Sequence, residues 1–129
     1  MLSNTLVTNE IKNAAAAKVD FGRISSQARE TIFAQSSETP ALPHRLNVKH
    51  QETGSGVAMR RRSLVRFDKS VTGQVDTTKV EKISGYIVMD IPVGNLTTMG
   101  EPNNVLAEVL SFCATTGAAT TVLFDCTGN

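Results

Sequence analysis

Large aromatic side chains are scarce in this chain of 129 residues: it has no tryptophan, a single tyrosine, Tyr86, and five phenylalanines. A core must therefore be assembled mainly from Val, Ile, Leu and Ala. Histidine and cysteine are scarcer still, with two of each. His44 and His50 stand on or beside one strand with no acidic partner at a useful spacing. His50 has the parity of the apolar side chains, which reads as a core histidine rather than a ligand. Cys113 and Cys126 lack a metal-ligand spacing and companion histidines, and they read as buried free thiols in preference to a disulfide in a reducing compartment. Gly54-Ser55-Gly56 is a turn signal that opens no helix to hold a phosphate. The reading is of a protein that is not an enzyme, with no metal, no cofactor and no small-molecule substrate.

Long apolar runs are also missing. Nothing approaches the ~18 consecutive apolar residues of a membrane span, and MLSNTLVTNEIK lacks the basic and apolar regions of a secretion signal, so no membrane partner is expected and synthesis is placed in a cytoplasm. Bulk basicity is absent as well, because 13 Lys+Arg face 12 Asp+Glu for a net charge of +1. That excludes a histone-like polycation and leaves only local clustering as a nucleic-acid signal.

Such a cluster is present. In Arg45–Asp68, Leu46, Val48 and His50 alternate with Arg45, Asn47, Lys49 and Gln51, so a strand would send the two sets to opposite faces. A second arm repeats the pattern, with Ser63, Val65 and Phe67 against Arg60, Arg62, Leu64 and Arg66. Thr53-Gly54-Ser55-Gly56 supplies the positive-φ residues of a reversal. Antiparallel pairing gathers Arg45, Lys49, Arg60, Arg62 and Arg66 on one surface. Such a surface is either a phosphate-binding face or a solvated face balanced by acids elsewhere.

Around this hairpin the chain reads as an α+β arrangement, strands first and helix last. Residues 5–11 and 19–24 form an N-terminal hairpin, with Ala14–Ala17 ambiguous between helix and turn. Glu30–Gln35 is a third strand, and Pro40 and Pro43 set an extended entry into the central hairpin. Asp68–Lys79 is polar and reads as a long exposed loop. Glu81–Ile91 alternates again, with Ile83, Ile87, Met89 and Ile91 opposite Ser84, Tyr86, Val88 and Asp90, and Pro92 stops it. A helix begins at Glu101-Pro102, carries Val105, Leu106, Val109, Leu110 and Cys113 on one face, and stops at Gly117. The segment 118–126 is helix or strand; periodicity does not decide. One helix of about three turns, roughly 18 Å long, covers only part of the apolar sheet face, so an obligate homodimer is expected.

The order of elements resembles the coat proteins of single-stranded RNA bacteriophages, the leviviruses. The resemblance runs over the whole chain, as one domain of 1–129: N-terminal hairpin to about 28, main sheet 29–92, helical region 101–127. Locally it rests on Pro40-Ala41-Leu42 leading into Arg45–Gln51, the basic strand ending at Phe67, the loop, the strand ending Asp90-Ile91-Pro92, and the terminal helix. It implies an interlocked dimer with a continuous antiparallel sheet, one or two C-terminal helices per copy, and assembly into an icosahedral shell around single-stranded RNA. It also implies an RNA-binding interior face of Arg45, Asn47, Lys49, Gln51, Arg60, Arg62, Arg66, Ser84 and Tyr86. In several members that face binds an RNA hairpin as a translational repressor. Tyr86 is then either a base-stacking platform or an ordinary strand aromatic. The competing function is a dimeric β-rich RNA-binding regulator that builds no shell.

Overall fold

The computed structural model describes residues 5–6 and 11–114. Six strands are ordered along one sheet as they occur in the chain: β1 (Thr5–Leu6), β2 (Phe21–Gln27), β3 (Glu30–Gln35), β4 (His44–Thr53), β5 (Arg60–Thr72) and β6 (Val80–Ile91). The pairing is antiparallel. One helix follows, α1 (Gly100–Ala114). The described residues fall into two compact units: the chain up to Thr53 with Arg61–Asp90, and Gly54–Arg60 with the chain from Ile91 onward.

In the first unit, the alanine run resolves as a turn. Asn13 Oδ1 accepts the N–H groups of Ala15 and Ala17, both at 3.0 Å, and Ala16 takes a φ of 60°. The side chain offers the backbone an alternative to a helix that four alanines are too few to nucleate. Lys12 and Lys18 bridge across this turn. The hairpin from β2 to β3 closes through Ala28-Arg29, with Arg29 at a φ of 68°. One extra residue, Ile24, sits in β2 between the pairs Arg23↔Phe33 and Ser25↔Ile32. This is a β-bulge, and it changes which side chains of β2 face which way.

Leu46 on β4 pairs with Phe33 on β3, and both are buried with Phe21 to form the core. Leu6, Ile11, Val19, Val48 and Phe67 pack around them. The ring of Phe21 meets Phe67 edge-on at 5.9 Å and His44 at 5.1 Å, so three separate stretches of chain lock at one point. His44 is thus the histidine at the core. His50 is exposed and bonds the Ser63 hydroxyl at 2.8 Å, which corrects the expectation that it would be the core histidine. The parity was read correctly, but the core is concentrated at the other end of β4.

Polarity misplaced the loop after Phe67. β5 continues to Thr72, and the connection is residues 73–79. Asp68 is ion-paired, and Ser70 N–H donates to Pro43 O at 2.9 Å, so these polar residues are held in strand rather than left to water. The connection closes by Gly73 N–H to Lys79 O at 2.8 Å, with Asp76 accepting from Thr78 N–H at 3.0 Å.

In the second unit, the tip between β4 and β5 and the segment after β6 are clipped together. Gly94 N–H donates to Met59 O at 3.0 Å, and a Cβ built on Gly94 would stand 2.0 Å from Gly56 O. Glycine is required here by close approach of two backbones. Helix α1 starts with Glu101 and Pro102 in its first turn, as the sequence predicts, and none of its residues is buried. The expected stop at Gly117, the segment 118–126 and Cys126 lie outside the described residues, while Cys113 is exposed rather than buried.

Candidate nucleic-acid interface

Period-two alternation gives the sheet two chemically different faces, and side-chain bonds show which residues share them. On one, His50 meets Ser63, and Glu52 accepts from Arg61 at 2.9 and 3.0 Å and pairs with Arg29 at 3.0 Å. This is the face of Leu46, Val48 and Phe67. On the other, Asn47 donates to Glu30 at 2.8 Å, Arg66 to Ser84 at 3.3 Å, and Arg62 pairs with Asp90 at 3.8 Å. Arg45, Asn47, Lys49 and Gln51 of β4, Arg60, Arg62 and Arg66 of β5, and Ser84 and Tyr86 of β6 therefore have the parity of one face.

That face is less cationic than its arginines and lysine suggest, because carboxylates are built into it. Glu38 grips Arg45 through both guanidinium branches, at 2.9 Å to Nε and 2.7 Å to the terminal nitrogen. Glu38 also accepts the His44 N–H at 2.9 Å. Burial works against the charged form of Glu38, but those donors outweigh it and hold its carboxyl below the usual range. Asp68 accepts from Arg66 Nε at 2.9 Å and from the Ser84 hydroxyl, with Lys82 Nζ 3.8 Å away. Its burial is likewise opposed and outweighed by the Ser84 and Arg66 donors, and its carboxyl too is held low. On the same edge as Glu38, His44 is held below the usual imidazole value by burial and by Lys69, with Glu38 acting in the opposite sense.

Of the nine predicted residues, Arg45, Asn47, Arg62, Arg66 and Ser84 bond or pair with neighbours. Lys49, Gln51, Arg60, Arg62, Ser84 and Tyr86 are exposed, and Tyr86 keeps 65% of its surface open although it stands in a strand. Sequence reasoning missed the partners Glu30, Glu38, Asp68 and Lys82. Asp68 and Lys82 were within reach, since each shares strand parity with Arg66 or Ser84. Glu38, in a connection, carried no such signal. Among the described residues no group of three or more His, Cys, Asp or Glu side chains could hold a metal ion, and no helix is long and apolar enough to cross a membrane.

A six-stranded antiparallel sheet with one polar, partly cationic face and a following helix defines the class. Solved structures place it more narrowly. The chain superposes on the capsid protein of bacteriophage GA with a TM-score of 0.60 at 15% identity, over 95% of this chain and 94% of that one. It matches the coat protein of bacteriophage EMS014 with a TM-score of 0.64 at 14% identity, over 91% and 80% of the two chains. A virus-like particle of Beihai levi-like virus 32 gives a TM-score of 0.59 at 19% identity, over 73% and 75%. The fold is that of the coat proteins of single-stranded RNA bacteriophages. No protein-family model matches the chain, and no curated protein matches it by sequence.

Proposed function

We propose that this chain is a capsid protein that pairs into homodimers, builds an icosahedral shell and packages single-stranded RNA against its cationic sheet face. The virion is then its place of residence, after synthesis in a bacterial host's cytoplasm. One observation carries the reading beyond fold likeness: apolar side chains stand open where a folded monomer would cover them. Val65 and Ile83 on the sheet, and Val105, Leu110 and Phe112 on the helix, are exposed by between 39% and 60%. Apolar area removed from water contributes about 25 cal/mol per Å², so a second copy covering these residues is strongly favoured. The opposite face, on which Lys49, Arg62 and Tyr86 are exposed, suits phosphates and an unpaired base.

Electron microscopy and light scattering of the purified full-length chain test the reading. Uniform particles of megadalton mass are expected. A stable dimer-sized species under assembly-permissive conditions overturns the shell and leaves the RNA-binding regulator. For the RNA face, Lys49→Ala should weaken binding to every RNA. Tyr86→Ala should cost about 1–3 kcal/mol for a hairpin with an unpaired base and much less for duplex RNA. Equal losses on both RNAs would remove the stacking role and leave packaging by charge.

A further inference from the structure

Carboxylates aimed at arginines on a face meant for phosphate call for an explanation, because each lowers the charge that attracts RNA. Besides Glu38 on Arg45, two stand at different points along the β5–β6 pair. Asp68 holds Arg66 at 2.9 Å and approaches Lys82 at 3.8 Å, with the Ser84 hydroxyl bonded to both Asp68 and Arg66. Asp90 pairs with Arg62 at 3.8 Å. The arginine side chains remain 40% and 64% accessible, so an incoming anion can reach either without unfolding the sheet. A carboxylate and a phosphate offer a guanidinium the same two-oxygen acceptor geometry. A phosphate arriving at Arg62 or Arg66 therefore competes with an anion already there.

We propose that Asp68 and Asp90 are internal competitors of RNA phosphate for Arg66 and Arg62, so that the face binds RNA by exchanging a tethered anion for a phosphate. This rests on the RNA-binding reading above. The consequence is discrimination. Short or weakly held RNA gains little at Arg66 and Arg62, since each contact forfeits an existing pair. A strand already held at Lys49 pays that exchange from contacts it has made. Lone phosphates are disfavoured, and lengths of strand that bridge the face are favoured.

Fluorescence anisotropy of a labelled 20-nucleotide oligouridylate, titrated with dilute full-length protein from 50 to 300 mM salt, tests the exchange. Asp68→Asn keeps the shape and the acceptor for Ser84 while removing the charge. It should tighten binding about two- to fivefold, the range expected for releasing one exposed ion pair. It should also steepen the plot of log K against log salt by up to about 0.7, the increment for one further phosphate on a single strand. Asp90→Asn, at a more exposed position, should act in the same direction and serves if Asp68→Asn fails to fold. Glu81→Gln makes the same change of net charge from the opposite parity of β6 and should leave both quantities unchanged. If all three variants tighten binding equally, bulk charge is responsible and the competitor role is refuted. If the native chain binds with a salt slope that neither aspartate variant alters, the competitor role fails while the RNA-binding reading stands. If neither the native chain nor the variants bind, both fail.

Discussion

Gly94→Ala is the sharpest test of how the segment leading to α1 is anchored. An alanine Cβ would lie 2.0 Å from Gly56 O, 2.9 Å from Met59 N and 3.0 Å from Val57 O, all of them backbone atoms with no rotamer to escape into. Restoring ordinary contact requires the two segments of chain to separate by about 1.4 Å or more. Forced overpacking costs about 1–3 kcal/mol. The separation also stretches the Gly94 N–H to Met59 O bond, now 3.0 Å, which adds roughly 1 kcal/mol. A loss of about 2–4 kcal/mol corresponds to a fall in melting temperature on the order of 10 °C for a chain of this size. Gly22→Ala provides the contrast, because a Cβ there meets nothing within 4 Å. That change should be neutral or stabilise by up to about 1 kcal/mol through the unfolded chain. Thermal denaturation followed by circular dichroism decides. If Gly94→Ala melts with the native protein, the clip is not part of the folded structure.

Phe33→Ala empties the centre of the core, where Phe33 is fully buried, and should cost about 3–5 kcal/mol in urea unfolding. A shift below 1 kcal/mol would mean the core lies elsewhere. Glu38 and Asp68 carry pKa values depressed on folding, so the stability they contribute is complete above the ordinary carboxylate range. It is lost as the pH falls through their folded values. Melting temperature should therefore drop on acidification below about pH 4.5, and Glu38→Gln should melt lower at neutral pH with a shallower acid dependence. An unchanged dependence removes the ion pair from the account. Leu110→Asp should leave the sheet folded but abolish pairing with a second copy, since burying an unpaired carboxylate costs several kcal/mol. Fully assembled Leu110→Asp particles in light scattering would show that this side chain stays in water.

Strand periodicity carried most of what the sequence could reveal. Alternation placed β4, β5 and β6 and sorted Arg62, Arg66 and Ser84 onto one face before any bond was seen. It did so because burial on one side of a sheet writes itself into every second residue. It failed at Asp68–Thr72, where polar residues read as loop although cross-strand partners hold them in β5. Composition senses exposure to water, whereas Asp68 is satisfied by Arg66 and Ser84. The carboxylates that temper the cationic face were hidden for a related reason. Glu38 reaches Arg45 from the connection before β4, where strand alternation does not apply. The exposed thiol of Cys113 was misjudged because a helical stripe predicts burial only when something packs on it.

The bulge at Ile24 bears on how this chain can change length. On the Gln27 side of it, every residue of β2 points opposite to the face that simple counting from Phe21 would assign. Ser25 pairs with Ile32 and Ser26 with Thr31. Removing Ile24 would merge the two stretches into a regular ladder without moving Phe21 from the core or Gln27 from its partner Glu30. Removing Arg23 or Ser25 instead requires Ile24 to take the missing place in the ladder, which brings a side chain that is 54% exposed into a pairing position. Among single-residue deletions in β2, that of Ile24 should be the best tolerated. Variants of this protein that differ by one residue in the β2–β3 hairpin are expected to differ there.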